Sequence, residues 1–111
     1  MTREAFPGLI TGFPAADIPL EGVKGWISQA DDHQVVFFEI EPIGEVPPHS
    51  HGAQWGILVE GEMELTIGGE TRRYGPGDSY FIPAGVVHGA RFLSRCRVID
   101  VFADRERSKA R

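Results

Sequence analysis

The feature of this sequence that most restricts its fold is the regular spacing of turn residues between short apolar segments. Its 111 residues include fourteen glycines and eight prolines, which interrupt the apolar runs roughly every eight to twelve residues, as in β-sandwiches and barrels. Long helical periodicity is absent. The sequence therefore predicts an all-β, antiparallel protein in which residues 41–48 are a connector and the strands are residues 23–28, 34–41, 54–60, 62–67, 71–74, 79–82, 88–92 and 96–102.

Two hydrophobic patterns indicate how these strands pack. Met63, Leu65 and Ile67 alternate with polar residues, which is typical of a sheet with one face in water. The segments VVFFEI (35–40) and VIDVF (98–102) instead carry apolar residues on both faces, so both faces need cover. We therefore predict a two-sheet antiparallel barrel of the jelly-roll kind that forms a homodimer. An immunoglobulin-like sandwich is the alternative, although the chain lacks the expected Cys and Trp arrangement.

Composition and charge exclude several classes of function. The formal net charge of -5 argues against binding a nucleic-acid backbone, which needs a basic surface. No apolar run approaches the ~20 residues that cross a bilayer, and the first twenty residues do not resemble a secretory signal. Cys96 is the only cysteine, which excludes an intramolecular disulfide and fits a buried apolar role. We expect a cytoplasmic protein without nucleic-acid or membrane partners, whose charged tail, residues 104–111, is frayed or forms a short helix.

Two of the four histidines lie in the segment PPHSHGAQW, residues 47–55. In a strand, His49 and His51 project to the same face because successive side chains alternate, and two imidazoles on one face can share a metal ion. Solvated turn residues are the alternative, since such spacings recur by chance. His33 lies in the polar turn DDHQ, and we interpret it as a solvated loop residue.

A third histidine, His88, begins a strand after the Pro-Ala-Gly turn of YGPGDSYFIPAGVVHGARF, residues 74–92. With this segment the chain resembles the cupins, small β-barrel proteins defined by two motifs. The first motif is matched by Gly44, His49, His51 and Gly61, and the second by Gly77, Pro83, Gly85 and His88. The first motif is one residue shorter than usual before His49, and its acidic position holds Gln54. The resemblance covers roughly residues 20–103.

The resemblance implies a double-stranded β-helix, here one domain over residues 1–111, with a divalent transition metal such as Fe, Mn, Ni, Zn or Cu. The ligands that it implies are His49, His51, Gln54 and His88. Imidazole nitrogen suits these ions, and an amide oxygen at Gln54 leaves the ion more electropositive than a glutamate does. A metal-free barrel is the alternative, and Gln54 bonded only to water or to a strand edge is another.

Two aromatic residues are candidates for the pocket. Phe92 shares a strand face with His88 and Ala90, so we expect it in the pocket wall; the family often has Asn there. Tyr80 is a candidate acid or base through its hydroxyl. For the remaining aromatic residues, core packing is the simpler interpretation.

Two classes of function fit these observations. One is a metal-dependent enzyme, such as a dioxygenase, isomerase or lyase, that acts on a small organic molecule. The other is a non-catalytic module that binds a small ligand or a metal, or acts as a sensor. No charged residue in the sequence is clearly placed beside the metal as a general base, and a fold alone does not decide between the two classes.

Overall fold

The computed structural model describes residues 6–110. Within them lie one short helix, α1, at Gly8–Thr11, and nine strands. In chain order, the strands β1 to β9 are Val23–Gln29, Gln34–Ile40, Gly44–His49, Gln54–Glu60, Met63–Ile67, Glu70–Tyr74, Ser79–Ile82, His88–Phe92 and Cys96–Phe102. One sheet has the strand order β1-β2-β9-β4-β7, the other β3-β8-β5-β6, and every pair is antiparallel. The predicted all-β, antiparallel architecture is confirmed. No helix within the described residues is long and apolar enough to cross a membrane.

The sequence patterns miss strand β3, because residues 41–48 look like a connector. Pro47 and Pro48 have no N–H to donate to a neighbouring strand, which normally excludes them from a sheet interior. β3 tolerates both because it lies at the edge of its sheet and pairs only with β8. Its register shifts between Val46 and His49, so the pairing passes over the two prolines.

The core lies between the two sheets and comes from the inward-facing residues of both. Leu58 of β4 and Val98 of β9 are almost completely buried, and Met63 and Leu65 of β5 face them from the other sheet. Burying a side chain of this size contributes roughly 1.5–3 kcal/mol. Several of these core residues, among them Met63, Leu65 and Val98, also line an internal cavity between the sheets.

The outer face of the five-stranded sheet remains partly apolar and exposed. Trp55 of β4 is paired with Phe81 of β7 and with Val101 of β9, and the side chains of Trp55 and Phe81 are 42% and 59% exposed. At the other side of this face, Phe6 packs edge-on against Trp26 and Phe37. We call the cluster of the exposed Trp55 and Phe81 and the half-buried Val101 the outer apolar patch.

Residues 103–110 lie across the cavity mouth, and we call them the C-terminal strap. The sequence-based expectation of a frayed or helical tail was made for residues 104–111; residue 111 lies outside the described residues, and residues 104–110 are neither frayed nor helical. The Gln34 side chain, which is 1% exposed, donates to the Ser108 carbonyl at 2.7 Å and accepts from the Ser108 N–H at 2.9 Å. The Asp17 N–H donates to the Lys109 carbonyl at 2.7 Å. These backbone contacts hold the strap in place despite its charged sequence.

Candidate metal centre and cavity

The structure brings the three motif histidines together at one end of the barrel. Ligand atoms of His49, His51 and His88 all lie within 4.8 Å of one another. His49 and His88 face each other across β3 and β8. β3 ends at His49, so His51 lies in the loop that follows rather than on the same strand. The alternation of a strand therefore does not explain how the ring of His51 reaches the cluster.

Two contacts hold the loop that carries His51. The carbonyl of His51 accepts a 2.8 Å hydrogen bond from the N–H of Gly85, in the turn before His88. The N–H of Gly52 donates to Oδ2 of Asp104, in the strap, at 2.7 Å. A Cβ at position 52 would lie only 2.3 Å from Oδ1 of Asp104, so a larger residue there would displace the carboxylate from this hydrogen bond.

The hydrogen bonds of the three imidazoles determine which nitrogen faces the cluster. Each Nδ1 lies at hydrogen-bond distance from a backbone carbonyl, and the pairs are His49 to Pro47 at 3.0 Å, His51 to Gly52 at 2.8 Å and His88 to Val86 at 2.9 Å. A carbonyl only accepts, so each Nδ1 carries the proton and each Nε2 has a free lone pair. The Nε2 atoms of His51 and His88 are buried and have no partner among the described residues.

The electrostatics keep two of these rings in the form that binds metal. Burial lowers the pKa of His51 and of His88 below the usual 6.5, and the positive charge of Arg107 acts in the same direction. Both rings are therefore neutral at pH 7. Three imidazoles with their Nε2 lone pairs converging are a donor set that fits a divalent transition ion, and the remaining coordination positions stay open to a ligand.

A cavity of about 790 Å³ adjoins the histidines. This volume falls in the range of small-molecule sites. The sequence candidates Gln54, Tyr80 and Phe92 all line it. The rest of the inner wall is mostly apolar and includes Val23, Phe38, Ile40, Met63, Leu65, Ile82 and Val98. A ligand inside the barrel would thus contact hydrocarbon on most sides and polar groups at the histidine end.

Asp100 is a buried charged residue of the cavity that the sequence patterns did not indicate. It lies on β9 and is 5% exposed. Tyr80 donates a 2.6 Å hydrogen bond to its Oδ1, and the side chain of Gln54 also bonds to it. Gly56 makes room for this arrangement, because a Cβ there would lie 2.0 Å from Oδ1 of Asp100 and 2.3 Å from the Tyr80 hydroxyl. One signal was available in the sequence, since Asp100 is the only acid on the inward face of the apolar segment CRVIDVF.

The pKa values assign different roles to Tyr80 and Asp100. Burial raises the pKa of Asp100 to about 6, although the hydrogen bonds from Tyr80 and Gln54 favour the carboxylate. Burial, followed by the negative charge of Asp100, raises the pKa of Tyr80 well above 10. Tyr80 is therefore a fixed donor at neutral pH rather than a base. Asp100 is a carboxyl group of the cavity that can change its charge close to neutrality.

Comparison with known proteins identifies the family. The cupin domain model matches residues 36–102, which contain both histidine motifs. The chain is a cupin. The H2HPP isomerase of Bacillus subtilis is 36% identical over 91 residues, which is 80% of this cupin and 38% of that protein. This cupin thus spans well under half the length of that curated relative.

Two solved structures cover almost the whole of this cupin. KdgF from Halomonas sp. is 30% identical, with a TM-score of 0.71 and coverage of 86% of both chains. An RmlC-like cupin from Shewanella frigidimarina is 27% identical, with a TM-score of 0.72, and covers 88% of this chain and 86% of its own. The predicted cupin membership and jelly-roll barrel are confirmed.

Proposed function

We propose that this cupin is a metal-dependent enzyme that acts on a small organic molecule inside the barrel, with His49, His51 and His88 holding a divalent transition ion. The observation that carries the proposal is the pair of buried Nε2 atoms, on His51 and His88, that have no hydrogen-bond partner within residues 6–110. A buried acceptor without a partner costs about 1–3 kcal/mol, and a bound ion removes that cost. The ion would supply Lewis acidity or, if redox-active, oxygen chemistry.

We propose Gln54 as the fourth ligand. It is buried and lines the same cavity as the histidines. Its side chain bonds to Asp100 in a way that favours the carboxylate, so the amide nitrogen is the atom that donates. The amide oxygen, which this hydrogen bond does not use, is the atom that we propose as a neutral ligand.

Asp100 favours proton transfer over oxygenation as the reaction of this site. A carboxyl group with a pKa of about 6 can take a proton from a bound ligand and return one at neutral pH. Tyr80 and Gln54 hold the carboxylate in place for this role. The similarity to a protein named an isomerase supports the same class of reaction. Isomerase or lyase chemistry is therefore our first choice.

Metal analysis of the protein as purified, followed by reconstitution with Fe, Mn, Ni or Zn, tests the proposal. Reconstituted protein is incubated with small phenolic, dicarbonyl and sugar-derived compounds, and product formation and oxygen uptake are both measured. We expect product formation without oxygen uptake. Product formation should be lost in Asp100→Asn. Oxygen uptake that depends on substrate would indicate an oxygenase, and tight binding without turnover for any metal would indicate a non-catalytic binding module.

We also propose that this cupin forms a homodimer through the outer apolar patch. Trp55 and Phe81 are large, adjacent and exposed, and aromatic residues of this kind anchor protein interfaces. Their strands, β4 and β7, lie at one edge of the five-stranded sheet. A second copy would cover both the patch and that edge.

A further inference from the structure

We infer that Arg107 is the anion-binding residue of the cavity, and that the ligand is a monocarboxylate with an apolar body. The inference rests on the proposed function only in placing the ligand inside the barrel. It adds the chemical class of the ligand and the residue that recognises it.

The position of Arg107 is defined by the strap and by one aromatic ring. Its Cζ lies 6.0 Å from the centroid of the Phe102 ring, and that ring lies 5.6 Å from the imidazole of His51. The Phe102 ring thus contacts both the guanidinium and one member of the histidine cluster. Because Gln34 and Asp17 bond to the backbone on the C-terminal side of Arg107, the segment holds the guanidinium at the mouth of the cavity.

The guanidinium of Arg107 lies over the ring of Phe102, and its positive charge is the feature that a ligand can use. It makes no ion pair within residues 6–110, although several other arginines there do. It lines the cavity, and its positive charge contributes to the lowered pKa of His51 and of His88. A guanidinium binds a carboxylate with two parallel hydrogen bonds. A carboxylate held there would direct the rest of its molecule past Phe102 towards the histidines.

The other charges of the cavity restrict the anion to a single negative charge. Asp17 and Glu106 line the mouth beside Lys109, and Asp100 lies deeper. These carboxylates repel a phosphate dianion more strongly than a monoanion. The inner wall offers mainly hydrocarbon, which favours a ligand whose body is apolar.

The test measures the binding of matched anionic and neutral probes. The probes are phenylacetate, 3-phenylpropanoate and 4-phenylbutanoate, their amides, and phenyl phosphate. Affinities are measured by calorimetry or by NMR titration with zinc-loaded and with chelator-treated protein. We expect the best carboxylate to bind more tightly than its amide. Arg107→Gln should weaken carboxylate binding about tenfold, the scale of one charged hydrogen-bonding partner, and leave amide binding unchanged.

Two variants serve as controls. Arg107→Lys keeps the charge but loses the paired geometry, so it should recover part of the affinity. Arg105→Gln makes the same change of charge two residues away, at a side chain that does not line the cavity. It should leave the affinities for the carboxylates and the amides unchanged. The effect of Arg107→Gln should appear in zinc-loaded and chelator-treated protein alike, so it is measurable even if the metal proposal fails.

Several results would overturn the inference. Unchanged carboxylate binding in Arg107→Gln would contradict it. Equal weakening of amide and carboxylate binding would indicate a structural role for Arg107. Tighter binding of phenyl phosphate than of every carboxylate would assign the site to phosphate esters. Absence of binding by all three carboxylates would exclude this ligand class.

Discussion

The hydroxyl of Tyr80 donates a 2.6 Å hydrogen bond to Oδ1 of Asp100 inside the barrel. Tyr80 comes from β7 and Asp100 from β9, and the strand between them, β4, supplies Gln54 as a second partner of the carboxylate. The acid is thus held by two neighbouring strands. These hydrogen bonds fix the position of the carboxyl group, which is what a proton-transferring group requires.

Loss of a histidine ligand should remove the metal. His49→Ala and His88→Ala should each reduce metal affinity by more than ~100-fold, since even changes to groups that only support a ligand cost 10–100-fold. His33→Ala, at an exposed turn, is the matched control and should keep the metal content of the original protein. Elemental analysis of the purified variants makes the comparison, and unchanged metal in His88→Ala would contradict a three-histidine site.

Metal affinity should fall as the pH drops below about 6.5, because protons then compete for the imidazole nitrogens. Burial lowers the pKa of His51 and His88, so the loss of affinity from these two ligands should be centred below 6.5 rather than at it. Competition titrations with a chelator of known proton affinity, repeated between pH 8 and 5, measure the effect. A constant affinity over this range would show that the histidines are not the ligands.

The stability of metal-free protein should report the raised pKa of Asp100. A carboxyl group with a folded pKa of about 6 and an ordinary value of 3.8 stabilises the fold at low pH, and this contribution is lost as the pH rises through 6. Asp100→Asn should therefore be more stable than the original protein at pH 7, by on the order of 2–3 kcal/mol. Urea unfolding at pH 7 and at pH 4 measures the free energy of unfolding of both proteins. The difference in favour of Asp100→Asn should be smaller at pH 4.

Substitution of Gln54 should separate coordination from hydrogen bonding. Gln54→Glu adds a negative charge beside the ion, so it should bind metal more tightly and raise the pKa of a metal-bound water. Gln54→Ala should weaken binding but keep some, because three imidazoles remain. Titrations of both variants provide the measurement. If both leave metal affinity and water pKa unchanged, Gln54 does not touch the ion and serves only to bond Asp100.

Charge introduced into the outer apolar patch should produce a monomer. Trp55→Arg or Phe81→Arg should weaken dimerisation by roughly 2 kcal/mol or more for each buried anchor. Val87→Arg makes the same kind of change at an equally exposed side chain, 55% exposed, outside the patch, and should leave the dimer intact. Light scattering at micromolar concentration makes the comparison, and a monomer in the unmodified protein would contradict the proposed interface.

Turn spacing and motif spacing were enough to predict most of the fold and the three histidines. Both signals are local, since glycine and proline act on the backbone where they occur. Strand β3 was missed because Pro47 and Pro48 oppose sheet pairing locally, and only the edge position of the strand makes them acceptable.

The remaining parts of the site depend on contacts between distant residues. The strap has a charged sequence that predicts a loose tail, but Gln34, over seventy positions away, bonds to its backbone. Asp100 looks like an exception in an apolar strand until Tyr80 and Gln54 are brought beside it. Hydrogen bonds of this kind leave little trace in the pattern of a single sequence.

The closeness of Gly56 to the Tyr80–Asp100 pair makes position 56 evolutionarily dependent on position 100. A side chain at 56 would overlap both the carboxylate and the phenol, so alanine there is severely disfavoured while both partners remain. The order of substitutions therefore matters, because lineages that keep the buried acid must keep the glycine. A relative that carries a larger residue at the position of Gly56 should also have lost the acid or shortened the tyrosine, so this one position can sort relatives by whether they retain the acid.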